Sequence, residues 1–263
     1  MATRRADGLD QYVNLIKEEL ATQDPLILGV GVAVVVVILT ILILKFISGR
    51  KNTRRSVLLV GLCDAGKTVL YSRLISGKYA KTQTSIKENS GSYEIKNEKK
   101  GRLKVVDLPG HERLRNQSLD QFKDQARGII FVVDSATLQK EIKEVAECLY
   151  NVLSDNVISY NSPPILVACN KSDVTTAKSA NIIKTQLEKE MNTLRVTRSA
   201  ALAGTDSSGG SNNVFLGKQG KDFEFSHLSP IQVEFVECSA KGSKGEAADA
   251  EIGEIEKWLA KIA

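Results

Sequence analysis

Gly61-Leu62-Cys63-Asp64-Ala65-Gly66-Lys67-Thr68 follows directly on the apolar run Val57-Leu58-Leu59-Val60, and this junction decides how the chain is read. The eight residues match the pattern G-x-x-x-x-G-K-[ST]. In that pattern glycines let the backbone turn tightly, so that successive N–H groups and a helix N-terminus face phosphate oxygens. Gly61, Asp64, Ala65 and Gly66 supply the backbone cradle, Lys67 neutralises the terminal phosphates, and the Thr68 hydroxyl ligates Mg²⁺. The junction implies a strand, a phosphate-binding loop and a helix in succession.

Outward from the loop, strand-like and helical patterns alternate. Strands are expected at Val57 to Gly61, Leu103 to Asp107, Gly128 to Asp134, Ile165 to Asn170 and Val233 to Glu237, with helices at Lys67 to Ser76, Leu138 to Leu153, Ala177 to Leu194 and Glu251 to Ile262. A further strand, Ser92 to Lys96, is expected to pair antiparallel at an edge. Strands apolar on both faces, separated by helices, predict an α/β domain with a mostly parallel sheet covered on both sides. Ligands of such sheets bind at the carboxyl ends of the strands.

Three further motifs fall at such ends. Asp107-Leu108-Pro109-Gly110 follows Val105-Val106: the aspartate can hold Mg²⁺ through water, and Gly110 lets a backbone N–H approach a γ-phosphate. Asn170-Lys171-Ser172-Asp173 follows Ile165 to Cys169. A carboxylate at Asp173 accepts two hydrogen bonds from guanine that adenine does not supply, Lys171 lies along the base, and Asn170 ties this loop to the phosphate loop. Cys238-Ser239-Ala240-Lys241, after the last strand, offers a backbone N–H to the guanine oxygen. The four motifs together predict GTP or GDP with Mg²⁺ as the bound species.

Upstream, Leu26 to Leu44 runs without a charge, long enough at 1.5 Å per residue to cross a hydrocarbon core of ~30 Å. It is expected to span a membrane once, within a segment 26–47. No small-residue cleavage site follows it. Lys45, Arg50, Lys51, Arg54 and Arg55 crowd its C-terminal side without an acid among them. The positive-inside rule then places everything downstream in the cytosol and residues 1–25 in the lumen. Residues 48–55 form a basic juxtamembrane linker, and 56–263 form one soluble domain of ordinary size.

The net charge of +5 is partly that basic cluster, and no direct readout of nucleic acid is implied. Cys63, Cys148, Cys169 and Cys238 stand singly, without metal-ligand spacing or a disulfide framework, and read as reduced thiols. The sequons at Asn116 and Asn170 fall on the cytosolic side and are expected to stay unmodified. Residues 200–220, rich in Gly and Ser, read as a flexible surface insertion whose deletion leaves nucleotide binding intact.

The set Gly61 to Thr68, Asp107 to His111, Asn170 to Asp173 and Ser239 to Lys241 resembles a small GTPase of the Ras superfamily. Its opening Gly-Leu and Asp-Ala-Gly-Lys-Thr are similar to the Arf and Sar branch. The resemblance implies a Ras-like P-loop GTPase in three layers, here preceded by one transmembrane helix. The anchor and the C-terminal Glu-Lys-Trp-Leu-Ala-Lys-Ile-Ala are similar to a membrane-receptor member of that superfamily. For that member the resemblance implies residence in the endoplasmic reticulum membrane, a heterodimer with a peripheral subunit that is itself a GTPase, and service in co-translational targeting beside the ribosome and translocon.

By the same resemblance, Thr84 matches the switch threonine that closes over Mg²⁺ and the γ-phosphate. Three features depart from the pattern. His111 stands where most Ras-like proteins place the glutamine that orients the attacking water, as in translational GTPases; an imidazole does this only when turned inward. Cys63 and Asp64 replace small loop residues and crowd the path of an arginine finger. Met1-Ala2-Thr3 and Lys261-Ile262-Ala263 carry no lipidation signal, so the spanning helix takes over anchoring.

The expectation is tight GTP binding and slow intrinsic turnover, with Lys67, Thr84 and His111 in the catalytic roles and no obvious arginine finger in cis. The partner is expected on the Thr84 and Asp107-to-Arg115 segments once the γ-phosphate orders them. Two rival readings are a constitutive membrane adaptor with GTP as a structural ligand and an ATP-dependent enzyme, the latter disfavoured by Asp173.

Overall fold

The computed structural model describes residues 33–41, 54–95, 101–203, 215–242 and 249–263. Packing divides the chain into Met1–Thr53 and Arg54–Ala263. In the first unit residues 33–41 are helical with their apolar side chains about half exposed. Among the described residues no helix is long and apolar enough to cross a membrane. Most of the expected span 26–47, the lumenal segment 1–25 and linker residues 48–53 lie outside the described residues.

The second unit is built on a six-stranded sheet. Its strands are β1 (Ser56–Val60), β2 (Asn89–Glu94), β3 (Arg102–Asp107), β4 (Ala126–Asp134), β5 (Ile165–Asn170) and β6 (Val233–Glu237), in the order β2-β3-β1-β4-β5-β6. Every pairing is parallel except β2 with β3. Side chains alternate across the sheet, so Val57 and Leu59 of β1 enter one core while Leu58 and Val60 enter the other. Both β1 and β5 are buried along their whole length, which is why they read as continuous apolar runs.

The helices are α1 (Lys67–Ser76), α2 (Glu112–Phe122), α3 (Leu138–Ser154), α4 (Asn156–Asn161), α5 (Ala180–Ala203) and α6 (Gly253–Ile262). On α3 the buried positions Leu138, Val145, Leu149, Val152 and Leu153 follow the 3.6-residue period and join Ile183, Leu187 and Met191 of α5 in the first core. On α6, Ile255, Trp258 and Leu259 make the same stripe and pack with Leu70 and Leu74 of α1 in the second. The Asp155 carboxylate caps α4 by accepting from the Val157 and Ile158 N–H groups.

Three expectations are corrected. The edge strand runs Asn89–Glu94 rather than from Ser92, because its position follows the antiparallel register Asn89 to Asp107 through Glu94 to Arg102 and not its own apolar content. The helix expected to end at Leu194 continues to Ala203. Residues 215–220, expected within a flexible insertion, are partly core: Leu216 is buried, and the buried Arg195 guanidinium donates to the carbonyls of Leu216, Lys218 and Lys221. Residues 204–214 lie outside the described residues.

Candidate functional site

The phosphate loop leaves β1 at Gly61 and enters α1 at Lys67. Gly66 sits at φ 89°, and a Cβ there would fall 2.3 Å from Asn170 Nδ2, so both conformation and space demand glycine. Asp64 also adopts the left-handed region, at φ 58°. Beside the loop is a cavity of about 390 Å³ lined by Cys63, Asp64, Gly66 to Val69, Thr82 to Ser85, Gly110 and Lys171.

Lys67 is 6 % exposed and donates from Nζ to the Leu62 carbonyl at 2.6 Å. Burial lowers its ammonium below the usual range, with the Asp107 carboxylate opposing. Thr68 Oγ1 donates to Asp107 Oδ2 at 2.8 Å, and Asn89 Nδ2 donates to the same oxygen at 3.2 Å. Asp107 itself is fully buried, and its Oδ1 has no partner among the described residues. Burial pushes this carboxyl above the ordinary range, with the Thr68 and Asn89 bonds and the Lys67 charge working against it. Gly110 approaches so closely that a Cβ would meet Lys67 Nζ and Cys63 N, both at 2.7 Å. A hydroxyl, a carboxylate with a spare buried oxygen, an ammonium and a bare backbone cradle are the donor set that suits a Mg²⁺-bound polyphosphate.

At the other end Asn170, 2 % exposed, is a node between three loops. Its Nδ2 donates to the Ala65 carbonyl at 2.8 Å, and its Oδ1 accepts from the Ala240 N–H at 3.0 Å. Of the backbone N–H groups in this loop, that of Ala240 is thus engaged by Asn170. Ser239 Oγ donates to Asp173 Oδ1 at 2.6 Å and accepts from the Gly242 N–H at 2.8 Å, which fixes the carboxylate expected to read the base. Lys171, at φ 63°, pairs with Asp134 at 2.6 Å. That partner's other oxygen accepts from the Ala136 and Thr137 N–H groups. Lys241 is exposed, and its carbonyl accepts from Arg73 Nη2 at 3.1 Å.

The two catalytic residues carried from resemblance are less well placed. Thr84 lines the cavity but is exposed, and the hydroxyl that meets Thr68 belongs to its neighbour Ser85, at 3.0 Å. His111 is exposed, caps the start of α2 only through its backbone carbonyl, and lies outside the cavity lining. Sequence reasoning missed Ser85, Asn89, Asp134 and Arg73. The buried Arg73 holds the last loop by donating from Nε to the Ala240 carbonyl at 3.0 Å.

A family model described as signal recognition particle receptor beta subunit matches residues 52–233. The chain belongs to that family. A signal recognition particle receptor subunit beta from Rattus norvegicus is 55% identical over 252 residues, covering 96% of this chain and 93% of the rat protein. A chain of the solved mammalian signal recognition particle receptor is 54% identical, with a TM-score of 0.69, covering 80% of this chain and all of that one. The receptor beta subunit of Chaetomium thermophilum, solved with GDP and Mg, is 25% identical at a TM-score of 0.60, covering 80% of this chain and 98% of that one. Membership places the chain among the small GTPases of the Ras superfamily, near the Arf branch, with a mostly parallel six-stranded Ras-like sheet.

Proposed function

We propose that this chain is a membrane-anchored GTP-binding switch that holds the peripheral alpha subunit of the signal recognition particle receptor at the endoplasmic reticulum for co-translational protein targeting. The observation that carries the nucleotide half is the joining of two preformed ends by one node: Asn170 bonds the phosphate loop at Ala65 and the base-reading loop at Ala240. Gly61 to Thr68 and Gly110 would cradle the phosphates, and Asp173, Lys171 and the Ser239-to-Lys241 loop would hold guanine. Thr68 and Asp107, with Thr84 or the better placed Ser85, would hold Mg²⁺. A Mg²⁺ ion held by these residues would supply neutralisation of the phosphate charge.

In this reading segment 26–47 spans the membrane once, residues 1–25 are lumenal, and the basic linker 48–55 precedes a cytosolic GTPase domain at 56–263. The switch segments around Thr84 and Asp107 to Arg115 face the alpha subunit, with Ile86 76 % exposed beside them. The translocon or ribosome adjoins the assembled receptor. Hydrolysis is slow until a partner turns His111 inward, since Lys67 and the backbone position the phosphates but, among the described residues, no aligned base lines the cavity.

The exposure of His111 also favours a second reading, a constitutive adaptor with GTP as a structural ligand. His111→Ala changes the lifetime of the GTP form only if the chain is a hydrolytic switch. The test of the main reading is Asp173→Asn in the full chain, titrated with GTP, GDP, xanthosine triphosphate and ATP. Guanine reading requires loss of GTP with gain of the xanthine nucleotide; retained GTP affinity or a preference for ATP refutes it.

A further inference from the structure

The loop that follows β6 has a carbonyl side and an amide side. The carbonyls of Ala240 and Lys241 both accept from one guanidinium, that of Arg73 on α1, at 3.0 Å from Nε and 3.1 Å from Nη2. The amides face the other way. That of Ala240 donates to Asn170 Oδ1 at 3.0 Å, and that of Gly242 donates at 2.8 Å to Ser239 Oγ, the hydroxyl that holds Asp173. The Ser239 N–H is taken up by the Glu251 carbonyl at 3.1 Å. Between two donors so engaged, the Lys241 N–H has no partner among the described residues.

That free N–H shares its peptide unit with the Ala240 carbonyl. The unit is planar and trans, so its C=O and N–H point in opposite directions. Holding the carbonyl on the α1 side therefore turns the Lys241 N–H toward the side where its neighbours reach Asn170 and the Ser239 hydroxyl. The next unit behaves in the same way, with the Lys241 carbonyl on Arg73 and the Gly242 N–H on Ser239. Arg73 is 8 % exposed, and its rigid planar fork spans both carbonyls at once, which fixes the two peptide planes that flank Lys241.

We propose that Arg73 is a positioning residue for base selection: by holding these two carbonyls it aims the Lys241 N–H at the oxygen of guanine, beside the edge that Asp173 reads. This rests on the guanine-nucleotide reading above. Adenine carries an amine where guanine carries that oxygen, so a fixed N–H meets a donor and rejects it. Arg73 itself touches no part of the nucleotide.

The test uses the full chain in lipid nanodiscs, wild type, Arg73→Met and Arg73→Lys, titrated with GDP, inosine diphosphate and 2-aminopurine riboside diphosphate. Inosine keeps the oxygen and lacks the exocyclic amine; 2-aminopurine keeps the amine and lacks the oxygen and the N1 proton. Arg73→Met is expected to cut the preference for GDP over the 2-aminopurine nucleotide by about tenfold, the size of one hydrogen bond, while the preference for GDP over the inosine nucleotide stays within about twofold. Arg73→Lys, which serves one carbonyl but not both, is expected to fall between. If Arg73→Met does not fold, the lysine variant alone decides. A merely structural role weakens all three nucleotides equally; that result, an unchanged preference over 2-aminopurine, or an equal fall in both preferences overturns the proposal while the guanine reading stands. Failure of the wild type to prefer GDP over either analogue overturns both.

Discussion

Replacing Asn170 by alanine removes a side chain that joins the phosphate loop to the last loop of the sheet. Its amide serves the Ala65 carbonyl and the Ala240 N–H, and the residue is 2 % exposed, so water does not readily replace it. Each buried group left unpaired costs about 1–3 kcal/mol, and the two together about 2–6 kcal/mol before the lost packing is counted. An asparagine truncated on the surface changes stability by less than about 0.5 kcal/mol. With a urea dependence of about 2–3 kcal/mol/M for a unit the size of Arg54–Ala263, the midpoint falls by roughly 0.7–3 M. The assay is urea unfolding of that unit with GDP saturating, followed by tryptophan fluorescence, since the single Trp258 is buried in the core between α6 and the sheet. Asn170→Asp keeps the acceptor for Ala240 and loses the donor to Ala65, and should fall between the two. A midpoint shift below about 0.2 M for the alanine variant would refute the node.

Two other outcomes follow from side chains outside that node. Asp107 has its carboxyl raised, chiefly by burial, so the nucleotide-free fold binds a proton more tightly than the unfolded chain. Stability then drops as pH rises from about 3.9, the unfolded value, through the folded one, and Asp107→Asn should flatten that slope in urea midpoints collected across the interval. The same variant should lose Mg²⁺-dependent retention of triphosphate. Arg195→Ala deletes bonds to the carbonyls of Leu216, Lys218 and Lys221 and to Asn192 Oδ1. Limited proteolysis should then cut within 215–222 while GDP affinity is unchanged, because none of these residues lines the nucleotide cavity.

What the sequence disclosed depended on whether a residue's role is local. β1, β4 and β5 are buried on both faces, so composition alone marks them, and the phosphate loop is a contiguous device whose spacing is its geometry. By contrast α2 passes unnoticed because it is mostly polar and buries only Arg115, Ser118, Leu119 and Phe122. β2 is placed by its neighbour, not by Asn-Ser-Gly-Ser-Tyr-Glu. Arg73 and Arg195 serve carbonyls across separations of 167 and 21 residues, which no periodicity records. Ser85 rather than Thr84 meets Thr68 because adjacent hydroxyls on a loop are told apart only by its path.

The cavity is unequally finished. At the base end Asp173, Lys171 and Asn170 are already held by Ser239, Asp134 and the backbone. At the phosphate end a buried carboxylate oxygen of Asp107 has no partner among the described residues. A ligand docking at the first end meets a rigid mould and forfeits little freedom of the protein. One reaching the second meets a buried carboxylate oxygen that still lacks a partner among the described residues. In the proposed reading, recognition of the base governs whether a nucleotide stays, and the number of its phosphates is read at the end left open. In that reading occupancy and message sit on separate hardware.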